Sequence, residues 1–311
     1  MPSRTQSKPA DFIVPLYMNG LDGRMLKMPS TKKPNREILL IYGHHAILER
    51  WWGLVENLNQ YGNVTMPDLP GFGGMQSFSK IGVKPDVDAF ADYLAAFIKL
   101  KYKQKTITVY AISFGFTVVT RMLQKYPELN KKVDIVIGYA GFMHYNEFHW
   151  SRKTQRTFQL ASRLFATRPV AFIIRYGFLN KIVIRTLTKV LPNSKHRFIE
   201  VTPEEFEETM DFEVKLWQAN DVRTHWLTSS DFFSLDNTKQ HIDLPVIHII
   251  SEQDHYFNNI IVEQHMRAVF NDYKSFVAKS KAHVPHVTAG KKAMSIMIPT
   301  GLKRILNKKK V

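Results

Sequence analysis

"VYAISFGFTVV", residues Val109 to Val119, changes its period at Ser113. Before that serine, Thr106-Ile107-Thr108-Val109-Tyr110 is β-branched and aromatic, the composition of a strand. After it, apolar side chains recur at Phe114, Val118, Val119, Met122 and Tyr126 with helical spacing, and Pro127 marks the stop. Ala111-Ile112-Ser113-Phe114-Gly115 thus places a serine on a strand-to-helix corner, with small residues two positions to either side. Such a corner is either a tight turn or a nucleophile elbow. In an elbow the strained serine needs small neighbours so that strand and helix can approach each other. The helix start then adds backbone N–H groups and partial positive charge beside the hydroxyl.

Outward from this corner, short apolar strands alternate with helical stretches. The strands are expected at Ile38–Tyr42, Val64–Met66, Ile107–Ala111, Val133–Tyr139, Val246–Ile250 and Phe276–Ala278. Continuous Ile/Leu/Val runs belong to strands buried on both faces, so the expectation is a doubly wound, mostly parallel α/β sheet. Its functional loops should lie at the carboxyl ends of the strands. The alternation lapses between about Gly141 and Leu244, where Thr202-Pro203-Glu204-Glu205 is a capping box with proline at the first helical position. That gives a core of residues 1–140 and 245–311 and a helical cap, an insertion of residues 141–244. Met18-Asn19-Gly20-Leu21-Asp22-Gly23-Arg24 holds both Asn-Gly and Asp-Gly and marks the turn of an N-terminal hairpin. A linker, Pro29-Ser30-Thr31-Lys32-Lys33-Pro34-Asn35, follows, and the chain closes on a basic tail, Asn307-Lys308-Lys309-Lys310.

The 311 residues fit one large α/β domain with an insertion, and a 44% hydrophobic content suffices for a sizeable core. The absence of cysteine removes disulfides, thiolate metal sites and cysteine nucleophiles, and fits a reducing, cytoplasmic compartment. Residues Met1-Pro2-Ser3-Arg4-Thr5-Gln6-Ser7-Lys8 lead into no long apolar core, so no secretory signal is expected. Val170 to Leu191, the longest apolar stretch, is interrupted by Arg175, Lys181, Arg185 and Lys189 and is a poor membrane span.

Three further stretches give the corner its context. Ile38-Leu39-Leu40-Ile41-Tyr42-Gly43-His44 is a buried strand ending in glycine and a loop, and Asp68-Leu69-Pro70-Gly71-Phe72-Gly73 is a Pro-Gly turn after the next strand. Two later strands end in an acid, at Ser251-Glu252-Gln253-Asp254, and in histidines, at Ala282-His283-Val284-Pro285-His286. With these residues the chain resembles the α/β-hydrolase superfamily of capped esterases, lipases and C–C hydrolases, over about residues 36–140 and 240–305. The Asp-Leu-Pro-Gly-Phe-Gly turn and the order Ser, Asp, His carry the resemblance.

The resemblance implies Ser113 as nucleophile, His283 as general base and Asp254 as the acid that orients the imidazole. It implies an oxyanion hole from the backbone N–H groups of His44 and Phe114, and chemistry that needs no cofactor. His286 is a rival base and Glu252 a rival acid, and Asp68 is a turn anchor rather than a catalytic acid. Ala111 replaces the commoner glycine, and Tyr42-Gly43 stands where the superfamily usually has His-Gly. Serine at position 113 separates the chain from the dehalogenases and epoxide hydrolases of this fold, which carry aspartate there. His44-His45 lacks the acid and histidine neighbours that a metal site needs.

The implied activity is hydrolysis of a small-molecule carboxylic ester with a hydrophobic acyl group. Cleavage of a small polar or aromatic substrate at a C–C or amide bond is the alternative enzyme reading, and an inactive ligand-binding relative is the non-enzyme one. Charge bears on partners. Of the formal net charge of +16, eleven cations and no acid fall between Ser151 and Ile199: Arg152, Lys153, Arg156, Arg163, Arg168, Arg175, Lys181, Arg185, Lys189, Lys195 and Arg197. They are interleaved with Phe158, Leu160, Leu164 and Phe165, then Val170, Phe172, Ile173, Ile174, Phe178, Leu179, Ile182, Val183, Ile184 and Leu187. Two readings stay open for this segment. It is a peripheral contact with an anionic membrane, or a cap whose apolar stripe covers the site and whose basic face is solvated. No nucleic-acid partner is expected, since no recognition motif or stacking platform accompanies the charge.

Overall fold

The computed structural model describes residues 7–30, 36–190 and 201–308. Residues 1–6, residues 31–35 of the linker, Lys195 and Arg197 of the basic segment, the side chain of Lys189, and Lys309 and Lys310 of the tail lie outside them. Eight strands make one sheet: β1 (Ile13–Met18), β2 (Leu21–Met28), β3 (Glu37–Ile41), β4 (Asn63–Pro67), β5 (Ile107–Ile112), β6 (Val133–Tyr139), β7 (Ile242–Ser251) and β8 (Phe270–Ala278). Their order is β1-β2-β4-β3-β5-β6-β7-β8. β2 pairs antiparallel with β1 and β4, and every pairing from β4 through β3 to β8 is parallel. From β3 the chain goes to β4 on one side and then to β5 on the other. The carboxyl ends of β3 and β5 therefore flank a topological switch point, where open α/β sheets form their ligand crevice.

Helices lie on both sides of the sheet. They include α1 (Trp52–Leu58), α2 (Val87–Lys101) and α3 (Phe114–Lys125). Between β6 and β7 come α4 (Arg152–Phe165), α5 (Arg168–Ile173), a π turn at Ile174–Phe178, α6 (Lys181–Val190), α7 (Pro203–Ala219) and α8 (Val222–Phe232). The last third of the chain adds α9 (Asn259–Val269), α10 (Lys291–Met294) and α11 (Thr300–Asn307). Thr202 caps α7 as its sequence foretells: its hydroxyl accepts from the Glu205 N–H, and the Glu205 carboxylate accepts from the Thr202 N–H. Among the described residues, no helix is long and apolar enough to cross a membrane.

Strand ends at β3, β4 and β5 differ from the sequence reading by one residue, and three differences are larger. Of the two glycine pairs near residue 20, Asn19-Gly20 makes the turn, with φ of 54° and 79°, while Asp22-Gly23 lies in β2 opposite Tyr17 and Leu16. β8 begins at Phe270 rather than Phe276; as an edge strand it carries Asn271, Asp272 and Lys274, which hide the apolar run. β7 begins at Ile242, so it crosses the boundary read at residue 245. Its register shifts between Ile242 and Pro245, and a bulge is where a strand tolerates proline.

Two polar anchors brace this frame close to the switch point. Asp68, fully buried at the end of β4, accepts from Tyr42 Oη at 2.9 Å, Arg24 Nε at 3.0 Å and the Gly74 N–H at 2.8 Å. The Tyr42 hydroxyl also accepts from the Leu69 N–H at 2.7 Å, so one phenol ties the Asp68 carboxylate to the first amide of the turn. This accounts for tyrosine where the superfamily usually has histidine. Burial pushes the Asp68 carboxyl up to about 6 against the pull of Arg24 and its donors, which leaves it ionised at neutral pH. Gly73 has φ 59°, and a Cβ there would meet Asp68 Oδ1 at 2.2 Å, so only glycine closes the turn over the carboxylate. The second anchor is His248, buried within β7, whose Nε2 accepts from the Gly141 N–H at 3.2 Å where the chain leaves β6 for the cap. Burial holds this imidazole down to about 4.

Both anchors are testable by chemical denaturation. Tyr42→Phe strands a buried N–H and removes a donor from a buried carboxylate, so it should cost about 1–3 kcal/mol in urea unfolding; unchanged stability would show that Asp68 does not need the phenol. His248 stays neutral in the fold, whereas the unfolded chain takes up the proton below its ordinary value of 6.5. It therefore draws stability away as pH falls from about 6.5 towards 4. His248→Gln should flatten the fall of the urea midpoint across that window.

Candidate active site

β5 is buried at all six positions and delivers Ser113 to the crevice at the switch point. Ser113 adopts φ 50° and ψ −119°, a left-handed conformation that costs a non-glycine residue about 1–3 kcal/mol. Packing holds it there. Its N–H donates to the Tyr139 carbonyl at 2.9 Å, and the N-terminus of α3 presses against the end of β3. A Cβ on Gly115 would lie 2.5 Å from the Tyr42 carbonyl oxygen and 2.6 Å from that of Ile41, so the small residue after the serine is a steric requirement. Ser113 occupies the N-cap position of α3, yet its hydroxyl makes no capping bond. A turn serine would spend its oxygen on the helix amides. Here it goes elsewhere.

The hydroxyl donates to His283 Nε2 at 2.9 Å, and His283 Nδ1 donates to Asp254 Oδ2 at 2.6 Å. The three groups arrive from the ends of β5, β7 and β8 and converge across 170 residues of sequence. Burial would push the Asp254 carboxyl up. The adjacent His283, together with amides from Tyr256 at 2.9 Å and Phe257 at 3.3 Å on Oδ1, outweighs it and holds the carboxyl below its usual range. An ionised Asp254 can only accept, so Nδ1 carries the proton and Nε2 is left as acceptor for the serine. The histidine loop is held by two hydroxyls that the sequence reading passed over: Ser251 at 2.7 Å and Ser280 at 2.8 Å both donate to the Ala282 carbonyl. The rivals stand apart. Glu252 is exposed, with its amide on the Ala278 carbonyl, and His286 Nδ1 faces the Thr288 hydroxyl at 3.1 Å.

Phe114 is the first residue of α3, so its amide belongs to the helix's N-terminal donors. Gly43 packs beside the serine: a Cβ there would be 3.3 Å from Ile112 O and 3.8 Å from Ser113 Oγ. The backbone of His44 follows from that contact. The His44 side chain turns to the helical insertion, where its Nε2 donates to Thr228 Oγ1 at 2.7 Å on α8. Asn220 forms a second core-to-cap tie, accepting from the Gly73 N–H at 2.9 Å while donating to His45 Nδ1 at 3.2 Å. Neither histidine joins a metal-binding group, and among the described residues no three His, Cys, Asp or Glu side chains cluster for one.

Aromatic rings pack in a chain from the histidine to the elbow. Phe257 lies 5.4 Å from the His283 ring and stacks on Phe142 at 4.5 Å; Phe142 meets Phe232, and Phe232 meets both Phe114 and His44. Phe142, Phe257 and Phe232 were not singled out from sequence, because isolated phenylalanines on three separate segments carry no common spacing.

The comparisons with known proteins agree with this geometry at the level of the fold. No curated protein sequence matches the chain. Among solved structures, a thermophilic esterase from Thermogutta terrifontis superposes with a TM-score of 0.64 at 14% identity, covering 96% of this chain and 99% of that one. An epoxide hydrolase from Bacillus megaterium gives 0.63 at 13%, with 94% and 98% covered. A deformylase acting on N-formylmaleamic acid, from Pseudomonas putida S16, gives 0.60 at 16%, with 87% and 94% covered. The sequence signature described as "alpha/beta hydrolase fold" matches residues 38–289. With the switch-point crevice, the serine elbow and that match spanning most of its length, the chain belongs to the α/β-hydrolase fold family.

Proposed function

We propose that the protein is a serine hydrolase that cleaves a carboxylic ester with a hydrophobic acyl group through an acyl-enzyme. The observation that carries this reading is the chain of two short contacts, 2.9 Å from Ser113 Oγ to His283 Nε2 and 2.6 Å from His283 Nδ1 to Asp254. As Oγ attacks the ester carbonyl, its proton passes to Nε2, and the imidazolium is stabilised by the Asp254 carboxylate. The oxygen of the tetrahedral intermediate gains negative charge and is met by the amides of Phe114 and His44, aided by the positive end of the α3 dipole. Collapse expels the alcohol, which takes the proton from His283. Water then attacks the acyl group with His283 again as base, and Ser113 is regenerated.

The acyl preference rests on the apolar cluster of Phe114, Phe142, Phe232 and Phe257 packed beside Ser113 and His283, in which Phe232 is the ring left partly exposed. Each methylene buried there would gain about 0.8 kcal/mol, close to a fourfold rise in kcat/KM. A p-nitrophenyl ester series from acetate to octanoate should therefore climb by about three- to fourfold per carbon until the wall is covered. A series that falls with length would favour the small polar substrate instead.

Ser113→Ala should abolish labelling by a fluorophosphonate and lower kcat by about a millionfold. Asp254→Asn leaves the shape but favours the wrong tautomer, and should lower kcat by about ten-thousandfold with KM little changed. Hydrolysis that survives Ser113→Ala would remove the nucleophile assignment, and a folded parent protein that resists the fluorophosphonate would favour a binding role.

A further inference from the structure

Among the described residues, fourteen large apolar side chains are exposed, and eight of them lie between residues 160 and 187: Leu160, Leu164, Phe172, Ile173, Tyr176, Phe178, Ile182 and Leu187. Single exposed apolar residues are ordinary, but such a concentration marks a contact surface. They do not cover the crevice. The inward face of α4 is made by other residues: Phe158 and Phe165 pack on Trp226 of α8, while Gln155 and Ser162 are buried. Leu160 and Leu164 point away from that face at 66% and 58% exposure, and Tyr176 and Ile182 reach 74% and 78%.

Charge surrounds this surface unevenly. Lys181 and Arg185 of α6 are matched by Glu207 and Asp211 of α7. Lys153, Arg156, Arg163, Arg168 and Arg175, on α4, α5 and the π turn, share their segment with no acid. Beside them a cavity of about 390 Å³ is lined by Arg168, Arg175 and Arg223 together with Phe172 and Tyr176. It touches none of Ser113, Asp254 and His283. Arg223 Nε is held by the Ala166 carbonyl at 3.0 Å. The one carboxylate on its wall, Asp221, is engaged at the head of α8 by the Thr224 N–H and hydroxyl, each at 2.7 Å.

We propose that the outer face of the cap docks on an anionic phospholipid bilayer, with a headgroup phosphate entering the cavity of Arg168, Arg175 and Arg223. Guanidinium groups grip phosphate oxygens in a fork geometry, and the exposed leucine, isoleucine and aromatic side chains beside them suit the boundary between headgroups and acyl chains. A second copy of this chain is a poor occupant, because it would bring the same cations against each other. Nucleic acid is a poorer one, because only Phe172, Tyr176 and Phe178 could stack on bases, while the five exposed leucines and isoleucines offer them nothing.

The test is flotation of the full-length protein with vesicles of phosphatidylcholine alone and of roughly equal parts phosphatidylcholine and phosphatidylglycerol. The protein should partition to the anionic vesicles at least tenfold more strongly at low salt and lose that advantage as salt rises. Each cation near the surface is worth about fivefold, so Arg168→Ala/Arg175→Ala should weaken partition by about 25-fold. Phe172→Ser/Tyr176→Ser should weaken it as well. Both variants should keep the parent's circular-dichroism spectrum and thermal midpoint, which reports that they are folded; because neither this control nor flotation needs ester cleavage, docking and the proposed activity stand or fall separately. Equal partition to both vesicles, or variants that float like the parent, would overturn the proposal. So would a concentration-dependent dimer in sedimentation without lipid that Phe172→Ser abolishes, since that makes a second copy the occupant.

Discussion

The close contact between the start of α3 and the end of β3 is the constraint on which the rest depends. With Gly115 seated against the Ile41 and Tyr42 carbonyls, the strand-to-helix corner closes tightly enough to keep Ser113 in a conformation it would not adopt alone. That conformation denies the hydroxyl its usual capping role and turns it towards the crevice. Strain of this kind persists only where the surroundings over-determine it. Here the Ser113 amide is also tied to Tyr139 on β6, so the sheet fixes the corner from two sides.

Around that corner the core is built to hold partners that come from far along the chain. β7 and β8 are parallel neighbours paired out to Ser251 and Ala278, which brings the loops bearing Asp254 and His283 to the same edge of the sheet. The Ala282 carbonyl, gripped by two serine hydroxyls, settles where the imidazole can reach. On the opposite side, Tyr42 and Asp68 tie the turn after β4 to the end of β3, which steadies the backbone at Gly43 and His44. The tyrosine that stands where the resemblance leads one to expect histidine thus braces the turn.

The helical insertion between β6 and β7 is tied to the rest of the fold by polar contacts, from His44 to Thr228 and from Asn220 to Gly73 and His45. Much of the apolar surface of its outer helices faces outward. One insertion therefore does two things: it completes an aromatic wall near the serine through Phe232, and it presents a basic, apolar exterior on the other side.

Much of this was legible from local patterns. The serine corner, the turn after β4, the Asn19-Gly20 hairpin, the Thr202 capping box and the alternation of strands and helices all depend on residues within a few positions of one another, so sequence by itself determined them. Edge strand β8 was half hidden, because a strand solvated along one side has no continuous apolar run. What only the tertiary structure decided depends on register and facing. Along the chain the resemblance favours Asp254 and His283, but Glu252 and His286 remain rivals a few residues away. The pairing of β7 with β8 and the pull of the loop hydroxyls bring Asp254 and His283, not their neighbours, to the serine. Likewise α4 has apolar residues on both faces, and a period of 3.6 cannot say which face is covered. Packing against Trp226 answers that: Phe158 and Phe165 turn inward and Leu160 and Leu164 outward, because only one face of a helix can meet the element beneath it.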